Sequence, residues 1–274
     1  MLIGKYDFKT ADHCYIMGIL NVTPDSFSDG GKFNCIDSAL HHTEQMIADG
    51  MDMIDVGGES TRPGYTMISD EEEIERTAPV IEAIKKRFDI AVSLDTYKYK
   101  VAEAGIKAGA DLINDIWGLK YDNGEMAQLI ANTHVSCCLM HNRNNTEYDS
   151  FMRDMIAETK ASVDIAVNAG ISKDKIIVDP GIGFGKTYEN NLEAIDRLDE
   201  FGKELELPVL LAASRKSVIG LTLDLPTDQR LEGTIAISVM GVMKGVSFVR
   251  VHDVQENARA IRMTEAIIRG YKHG

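Results

Sequence analysis

Eight short apolar runs in this sequence are each followed, or in one case interrupted, by polar residues able to bind or activate a ligand. Asn21 follows the first, Glu59-Ser60-Thr61-Arg62-Pro63-Gly64 the second, Asp95 the third and Asn114-Asp115 the fourth. His141 follows the fifth, Asp179 the sixth and Ser214-Arg215-Lys216 the seventh, and the eighth carries Arg250 and His252. Carboxylates and carboxamides supply acceptors and donors that match a heteroaromatic ring edged with amide-like N–H and C=O groups. The cations, together with the N-terminus of a helix following Asn21, suit a phosphate. A single strand-end Asp or Asn often does no more than cap a loop. Polar groups at all eight strand ends make that reading weak, provided the strands bring those ends together.

The elements between these residues do so. The apolar runs are roughly residues 15–20, 53–56, 90–94, 111–113, 135–140, 175–178, 208–212 and 247–251, all too short for helices. Between them lie segments of helical spacing, such as the stripe of Ile36, Ala39, Leu40 and Ile47 and that of Phe151, Met152, Met155, Ile156, Val163, Ala166 and Val167. Eight consecutive βα units in 274 residues predict an α/β fold, a (β/α)8 TIM barrel, whose polar strand ends all gather at one C-terminal rim. A doubly wound open sheet shares the alternation, but its glycine-rich turn after the first strand is missing, because Asn21-Val22-Thr23-Pro24-Asp25 stands there. The first fourteen residues precede the repeat and are expected to form a short hairpin or strand pair closing the lower end of the barrel.

Local signals add detail. Ser69 and Asp253 open capping-box spacings, Gly50, Gly170 and Gly202 fall where helices should stop, and Pro79 predicts a kink or a fresh start inside residues 70–88. The acidic run from Asp70 to Glu73 reads as the solvated first turn of that helix. Asp179-Pro180-Gly181-Ile182-Gly183-Phe184-Gly185-Lys186 lets backbone approach a ligand closely, although its spacing is neither the dinucleotide fingerprint nor a P-loop. Residues 21–31 form a long polar loop ending in Gly-Gly, the build of a lid. His141 and His252 have no close histidine or cysteine partners in sequence, so a structural zinc is not expected.

Composition sets further bounds. A net charge of −14, from 43 acidic and 29 basic residues, argues against a nucleic-acid partner. No apolar run approaches the ~20 residues that span a bilayer, and the N-terminus lacks a basic region followed by an apolar stretch, so a cytoplasmic protein is expected. The four cysteines show no metal or redox spacing and read as reduced, mostly buried thiols. With no linker or second composition regime, residues 1–274 are expected to form one domain.

Seven motifs, in order, resemble those of the dihydropteroate synthase family of pterin-binding barrels across nearly the whole chain. They are Met17-Gly18-Ile19-Leu20-Asn21-Val22-Thr23-Pro24-Asp25-Ser26-Phe27-Ser28-Asp29-Gly30-Gly31, Asp55-Val56-Gly57-Gly58-Glu59-Ser60-Thr61-Arg62-Pro63-Gly64, Ser93-Leu94-Asp95-Thr96, Asn114-Asp115-Ile116, the Asp179–Lys186 segment, Ser214-Arg215-Lys216-Ser217 and Arg250-Val251-His252-Asp253-Val254. The segment after the fifth run, Met140-His141-Asn142-Arg143-Asn144-Asn145, departs from the pattern of many relatives and leaves the role of His141 open.

The resemblance implies condensation of 6-hydroxymethyl-7,8-dihydropterin diphosphate with 4-aminobenzoate, giving 7,8-dihydropteroate and diphosphate in folate synthesis. It places the pterin against Asp95, Asn114, Ile116, Asp179, Gly183, Lys216 and Arg250. It places the diphosphate against Asn21, Thr61, Arg62, Arg250 and His252, with Mg2+ bridging Asn21 and the phosphate oxygens. It places 4-aminobenzoate among Phe27, Thr61, Pro63, Phe184 and Ser217. Asp95, Lys216, Arg62 and His252 are then the catalytic residues of an SN1-like substitution. The family also implies a homodimer and a member of the class that sulfonamides target. A corrinoid methyltransferase built on a similar pterin pocket would lack the Thr61–Gly64 and Ser214–Ser217 motifs, and a pterin-binding partner subunit without activity would have no need of the full set.

Overall fold

The computed structural model describes residues 1–22, 32–59 and 67–270. Eight strands alternate with helices: β3 (Tyr15–Asn21), β4 (Met53–Gly57), β5 (Ala91–Asp95), β6 (Leu112–Asp115), β7 (Ser136–Met140), β8 (Ile176–Asp179), β9 (Leu210–Leu211) and β10 (Phe248–Val251). They pair in parallel in the order β8-β7-β6-β5-β4-β3-β10-β9, and a parallel bridge from Val178 to Val209 joins the two ends. The sheet is thus a closed (β/α)8 barrel, as the alternation predicts. Ahead of it, β1 (Leu2–Ile3) and β2 (Tyr6–Asp7) form the antiparallel pair expected of the N-terminus.

Alternation along each strand sorts the side chains into two shells. Ile16, Ile54, Val92, Ile113, Cys137, Ile176, Leu211 and Val249 face outward and pack under the helices. In the other phase, Met17, Met53, Ala91, Leu112, Cys138, Ile177, Leu210 and Phe248, one from each strand, fill the lower barrel. Ile3 and Phe8, on and just beyond the N-terminal pair, join this layer and plug it from below. Two residues further along each strand the inward positions are Ile19, Asp55, Ser93, Asn114, Met140, Asp179, Ala212 and Arg250. The interior therefore changes from apolar to mainly polar within one layer, toward the C-terminal rim.

The helices are α1 (Lys32–Asp49), α2 (Asp70–Arg87), α3 (Tyr99–Ala108), α4 (Glu125–Thr133), α5 (Phe151–Asn168), α6 (Tyr188–Asp196), α7 (Leu198–Leu205), α8 (Ser217–Leu223), α9 (Leu231–Met243) and α10 (Val254–Arg269). Ser69 caps α2 by accepting the Glu72 N–H at 3.1 Å, and Gly50 and Gly170 follow α1 and α5 with positive φ, as predicted. Three local expectations are corrected. Helix α2 does not start afresh at Pro79, because Glu73, Thr77, Val80, Ile81 and Ile84 bury one continuous face on both sides of it, which outweighs one lost hydrogen bond. Helix α7 runs through Gly202, where a missing Cβ lets it approach Val209, and ends instead at Glu206. The Asp253 side chain makes no cap to α10 and pairs with Arg215. Among the described residues no helix is long and apolar enough to cross a membrane.

Candidate active site

The polar layer is knit together across strands. Arg250 on β10 reaches over the barrel, donating from Nε to Asp55 Oδ2 at 2.6 Å and from a terminal nitrogen to Asp95 Oδ2 at 2.7 Å. Asn114 donates its amide to Asp55 Oδ2 at 3.2 Å, and the Ser93 hydroxyl donates to Asp55 Oδ1. Asp95 Oδ1 is buried with no hydrogen-bond partner. Leaving such an oxygen unmet costs about 1–3 kcal/mol or more, so it is an acceptor that a donor from a ligand could satisfy. Burial drives the Asp95 carboxyl well above the usual carboxylate range, and neighbouring Asp55 adds to the effect while Arg250 opposes it.

Lys216 and Asp179 form the opposite wall. Lys216 ends the β9–α8 turn and donates from Nζ to Ile182 O at 2.5 Å, while the same nitrogen sits 4.8 Å from the centre of the Phe184 ring. Burial lowers its pKa to about 8, with Asp179 the principal opposing charge. Asp179 Oδ1 accepts the Gly181 N–H at 2.7 Å, turning the chain sharply into the glycine segment. Burial raises the Asp179 carboxyl, and Lys216 partly offsets this. A Cβ on Gly183 would lie 3.3 Å from the Lys216 side chain, so glycine keeps the lysine's path open. Ile116, Tyr97 and Met140 make a buried apolar patch against Trp117 and Phe184, fit to receive the flat face of a ring.

Asn21 ends β3 at the rim. A Cβ on Gly57 would lie 3.7 Å from Asn21 Oδ1 and 3.8 Å from Asp95 Oδ2, so both oxygens flank one spot at the mouth. His252 follows β10, with Nδ1 3.0 Å from Ser214 Oγ, while that oxygen also accepts the His252 backbone N–H at 3.2 Å. If the hydroxyl donates to Nδ1, a neutral ring carries its proton on Nε2. Ser217 opens α8 and is exposed. The structure thus brings together Asp95, Asn114, Asp179, Lys216 and Arg250, with Ile116, Gly183 and Phe184 beside them. Phe27, Thr61, Arg62 and Pro63, and most of the 21–31 loop read as a lid, lie outside the described residues.

His141, whose role the sequence left open, sits behind the site. Its Nδ1 accepts from Lys186 Nζ at 2.9 Å and its Nε2 lies 3.1 Å from Glu158. Burial, then the Lys186 charge, lowers its pKa to about 2, so the ring is neutral. Lys186, lowered to about 7 by burial, also donates to Gly181 O and Phe184 O at 3.1 Å each. His141 and Lys186 therefore brace the glycine turn from beneath. Among the described residues no cluster of His, Cys, Asp and Glu is suited to hold a metal.

Several residues escape a reading of strand ends. Asp55 lies in the middle of β4, where only the inward phase of Met53, Asp55 and Gly57 would have disclosed it. Glu73, predicted to be solvated, is buried, and Lys98 Nζ lies 2.7 Å from Glu59 and 2.8 Å from Glu73. Tyr97 adds a hydrogen bond to Glu59 at 2.8 Å, fixing the residue that leads into the Ser60–Gly64 motif. Arg215 adopts φ +58°, held by Thr234 Oγ1 on its N–H, Arg230 on its carbonyl and Asp253 on its guanidinium. No periodicity signals that strained link, yet it sets Ser214 and Lys216 on either side.

Comparison with known proteins agrees with this geometry. The family model described as pterin binding enzyme matches residues 17–252. A dihydropteroate synthase of Clostridium beijerinckii is 59% identical over 98% of this chain and 100% of its own, and one of Bacillus subtilis is 51% identical over 94% and 91%. A crystal structure of a dihydropteroate synthase from Clostridium difficile in the presence of pteroic acid superposes with a TM-score of 0.92 at 49% identity, covering 96% of this chain and 99% of that one. A Xanthomonas albilineans dihydropteroate synthase with 4-aminobenzoic acid gives 0.89 at 36% identity, covering 96% and 95%. The barrel, its polar floor and these likenesses lead to one conclusion: the chain belongs to the pterin-binding enzymes, in the dihydropteroate synthase family.

Proposed function

We propose that the chain is a transferase that joins the methylene carbon of 6-hydroxymethyl-7,8-dihydropterin diphosphate to the amine of 4-aminobenzoate, the dihydropteroate-forming step of folate biosynthesis. The observation that carries the reading is the floor itself. Asp95 Oδ1 stands buried and unmet, with Asn114 beside Asp95 in register, Arg250 on its other oxygen and the Lys216 charge within reach, and with Asp179 these groups supply the donor and acceptor set an aminopyrimidinone ring requires. Asp95, Asn114 and Asp179 accept the ring N–H and amino hydrogens, Lys216 donates to the carbonyl and ring-nitrogen side, and Arg250 lies across the ring. Ile116 and Phe184 bound the apolar faces.

The diphosphate lies against Asn21 and His252, joined by Thr61 and Arg62. A magnesium ion fits Asn21, since this ion favours oxygen donors, retains water and is commonly held by few protein groups together with substrate phosphates. When bound it neutralises charge on the diphosphate. The C–O bond to diphosphate breaks first and its electron pair leaves with the diphosphate. The carboxylates of the site, Asp95 and Asp179, stabilise positive charge in the pterin, while His252 and Arg62 stabilise the departing anion. The lone pair of the neutral aryl amine then forms the C–N bond, and the amine loses a proton to solvent or diphosphate. The 4-aminobenzoate approaches past Phe27, Pro63 and Phe184, with its carboxylate near Ser217.

Two wider readings accompany this one. Exposed Met240, Met243, Met263, Ile267 and Ile268 on the mutually packed helices α9 and α10 support a homodimer through that face. Buried Cys137 and Cys138, neither of them in a disulfide, fit a reducing cytoplasm. The functional reading is tested with purified Asp95→Ala and Lys216→Ala. Each is expected to keep a wild-type circular dichroism spectrum while turnover falls at least 100-fold. Near-normal turnover in either folded variant removes that residue from the mechanism.

A further inference from the structure

Asp55 is completely buried in the middle of β4, in the same inward layer as Asn114, Asp179 and Arg250 and one layer below Asp95, and none of the roles above belongs to it. Its two oxygens receive donors from three other strands: Ser93 on β5, Asn114 on β6 and Arg250 on β10. All three neighbours donate and Asp55 accepts, so its oxygens dictate how each neighbour is turned. Asn114 must point its NH2 at Asp55, which turns its Oδ1 away as an acceptor for other groups. Arg250 is held through Nε, so its terminal nitrogens are the part left to meet Asp95 or a ligand. Without an acceptor-only group at this point, the Asn114 amide could be reversed, and Arg250 would have Asp95 as its only carboxylate partner among these bonds.

Resting on the pterin reading, we propose that Asp55 is a positioning residue that sets the donor and acceptor polarity of the pterin floor. It presents Asn114 as an acceptor beside the unmet oxygen of Asp95, and it tethers Arg250 so that the guanidinium can serve the ring without quitting the site. The ring edge this arrangement selects is one rich in N–H donors. A ring offering acceptors at the same edge would meet carboxylate and carbonyl oxygens and be rejected, because buried oxygens facing oxygens are costly.

The test is Asp55→Asn, nearly the same in shape but carrying a donor where an acceptor stood. Binding of 6-hydroxymethyl-7,8-dihydropterin diphosphate is measured by calorimetry, and KM for both substrates by product formation. The pterin Kd is expected to rise at least ten-fold, with the KM for 4-aminobenzoate within two-fold of wild type. A pterin Kd within two-fold of wild type in the folded variant overturns the proposal. So does a loss confined to kcat and thermal stability, the mark of a purely structural residue. Should Asp55→Asn fail to fold, Ser93→Ala keeps the carboxylate and frees one of its oxygens. It is expected to weaken pterin binding three-fold or more, and unchanged affinity there overturns the proposal equally. Wild-type enzyme that does not bind the pterin would instead remove the functional reading on which this rests.

Discussion

At the scale of single residues, the site works by holding charges where burial opposes them. Lys216 is the clearest case, since its depressed pKa of about 8 places its deprotonation near the working range. Turnover is expected to fall as pH rises through about 8, when the ammonium that meets the pterin carbonyl is lost. The effect on folding has the opposite sign. Between about 8 and the ordinary lysine value of 10.5, the unfolded chain binds the proton that the folded chain has released, so the Lys216 contribution to stability rises with pH. Denaturant midpoints of wild type and Lys216→Met, compared from pH 7 to pH 10, should therefore shift progressively in favour of wild type. A constant difference between the two would show that Lys216 is not depressed.

At the scale of elements, the β8–α6 turn is the most constrained part of the site. Gly181 has φ +68°, and a Cβ there would lie 2.0 Å from the His141 carbonyl oxygen, which is backbone and has little freedom to move. Gly181→Ala is expected to cost roughly 2–4 kcal/mol, combining left-handed strain with a steric clash, and to weaken pterin binding by moving Asp179. Chemical denaturation measures the first effect and calorimetry the second. This turn also shows what the sequence could disclose. Its glycines, and the polar residue at each strand end, were legible because chain order and period place them at one rim. The partners that tune them were not, because they lie away from the strand ends: Asp55 in mid-strand, where only the inward phase of β4 marks it, Glu73 within an acidic run that looked solvated, and Lys186, in the turn after β8, bonded to His141 at the end of neighbouring β7. The fresh start allowed for at Pro79 failed for a related reason, since a local rule about backbone hydrogen bonds does not register how much apolar face the whole helix buries.

At the scale of the whole molecule, the barrel separates stability from chemistry along its axis. The lower layer and its plug, Ile3 and Phe8, are apolar and buried, whereas the layer above carries the reactive groups. Phe8→Ala is expected to destabilise the fold by about 3–5 kcal/mol, visible as a lower melting temperature, while the KM values of the folded enzyme stay unchanged. The α9 and α10 face makes a separate claim. Met243→Asp with Ile267→Asp should convert a dimer to a monomer in sedimentation velocity, and an unchanged sedimentation coefficient would show that this face is not the interface. The same layering explains why Asp95 can remain so poorly satisfied: the apolar floor beneath it supplies stability that the upper layer gives up for binding.

The central claim is that this polar floor binds a pterin diphosphate and directs its substitution by an aryl amine. The most direct measurement follows diphosphate and dihydropteroate together, using purified protein, magnesium and the pterin diphosphate, with and without 4-aminobenzoate. The expected result is dihydropteroate formed in equal amount to diphosphate when the amine is present, and no dihydropteroate without it. Pterin bound tightly under both conditions, with no product in either, would contradict the account and leave a binding protein in place of an enzyme.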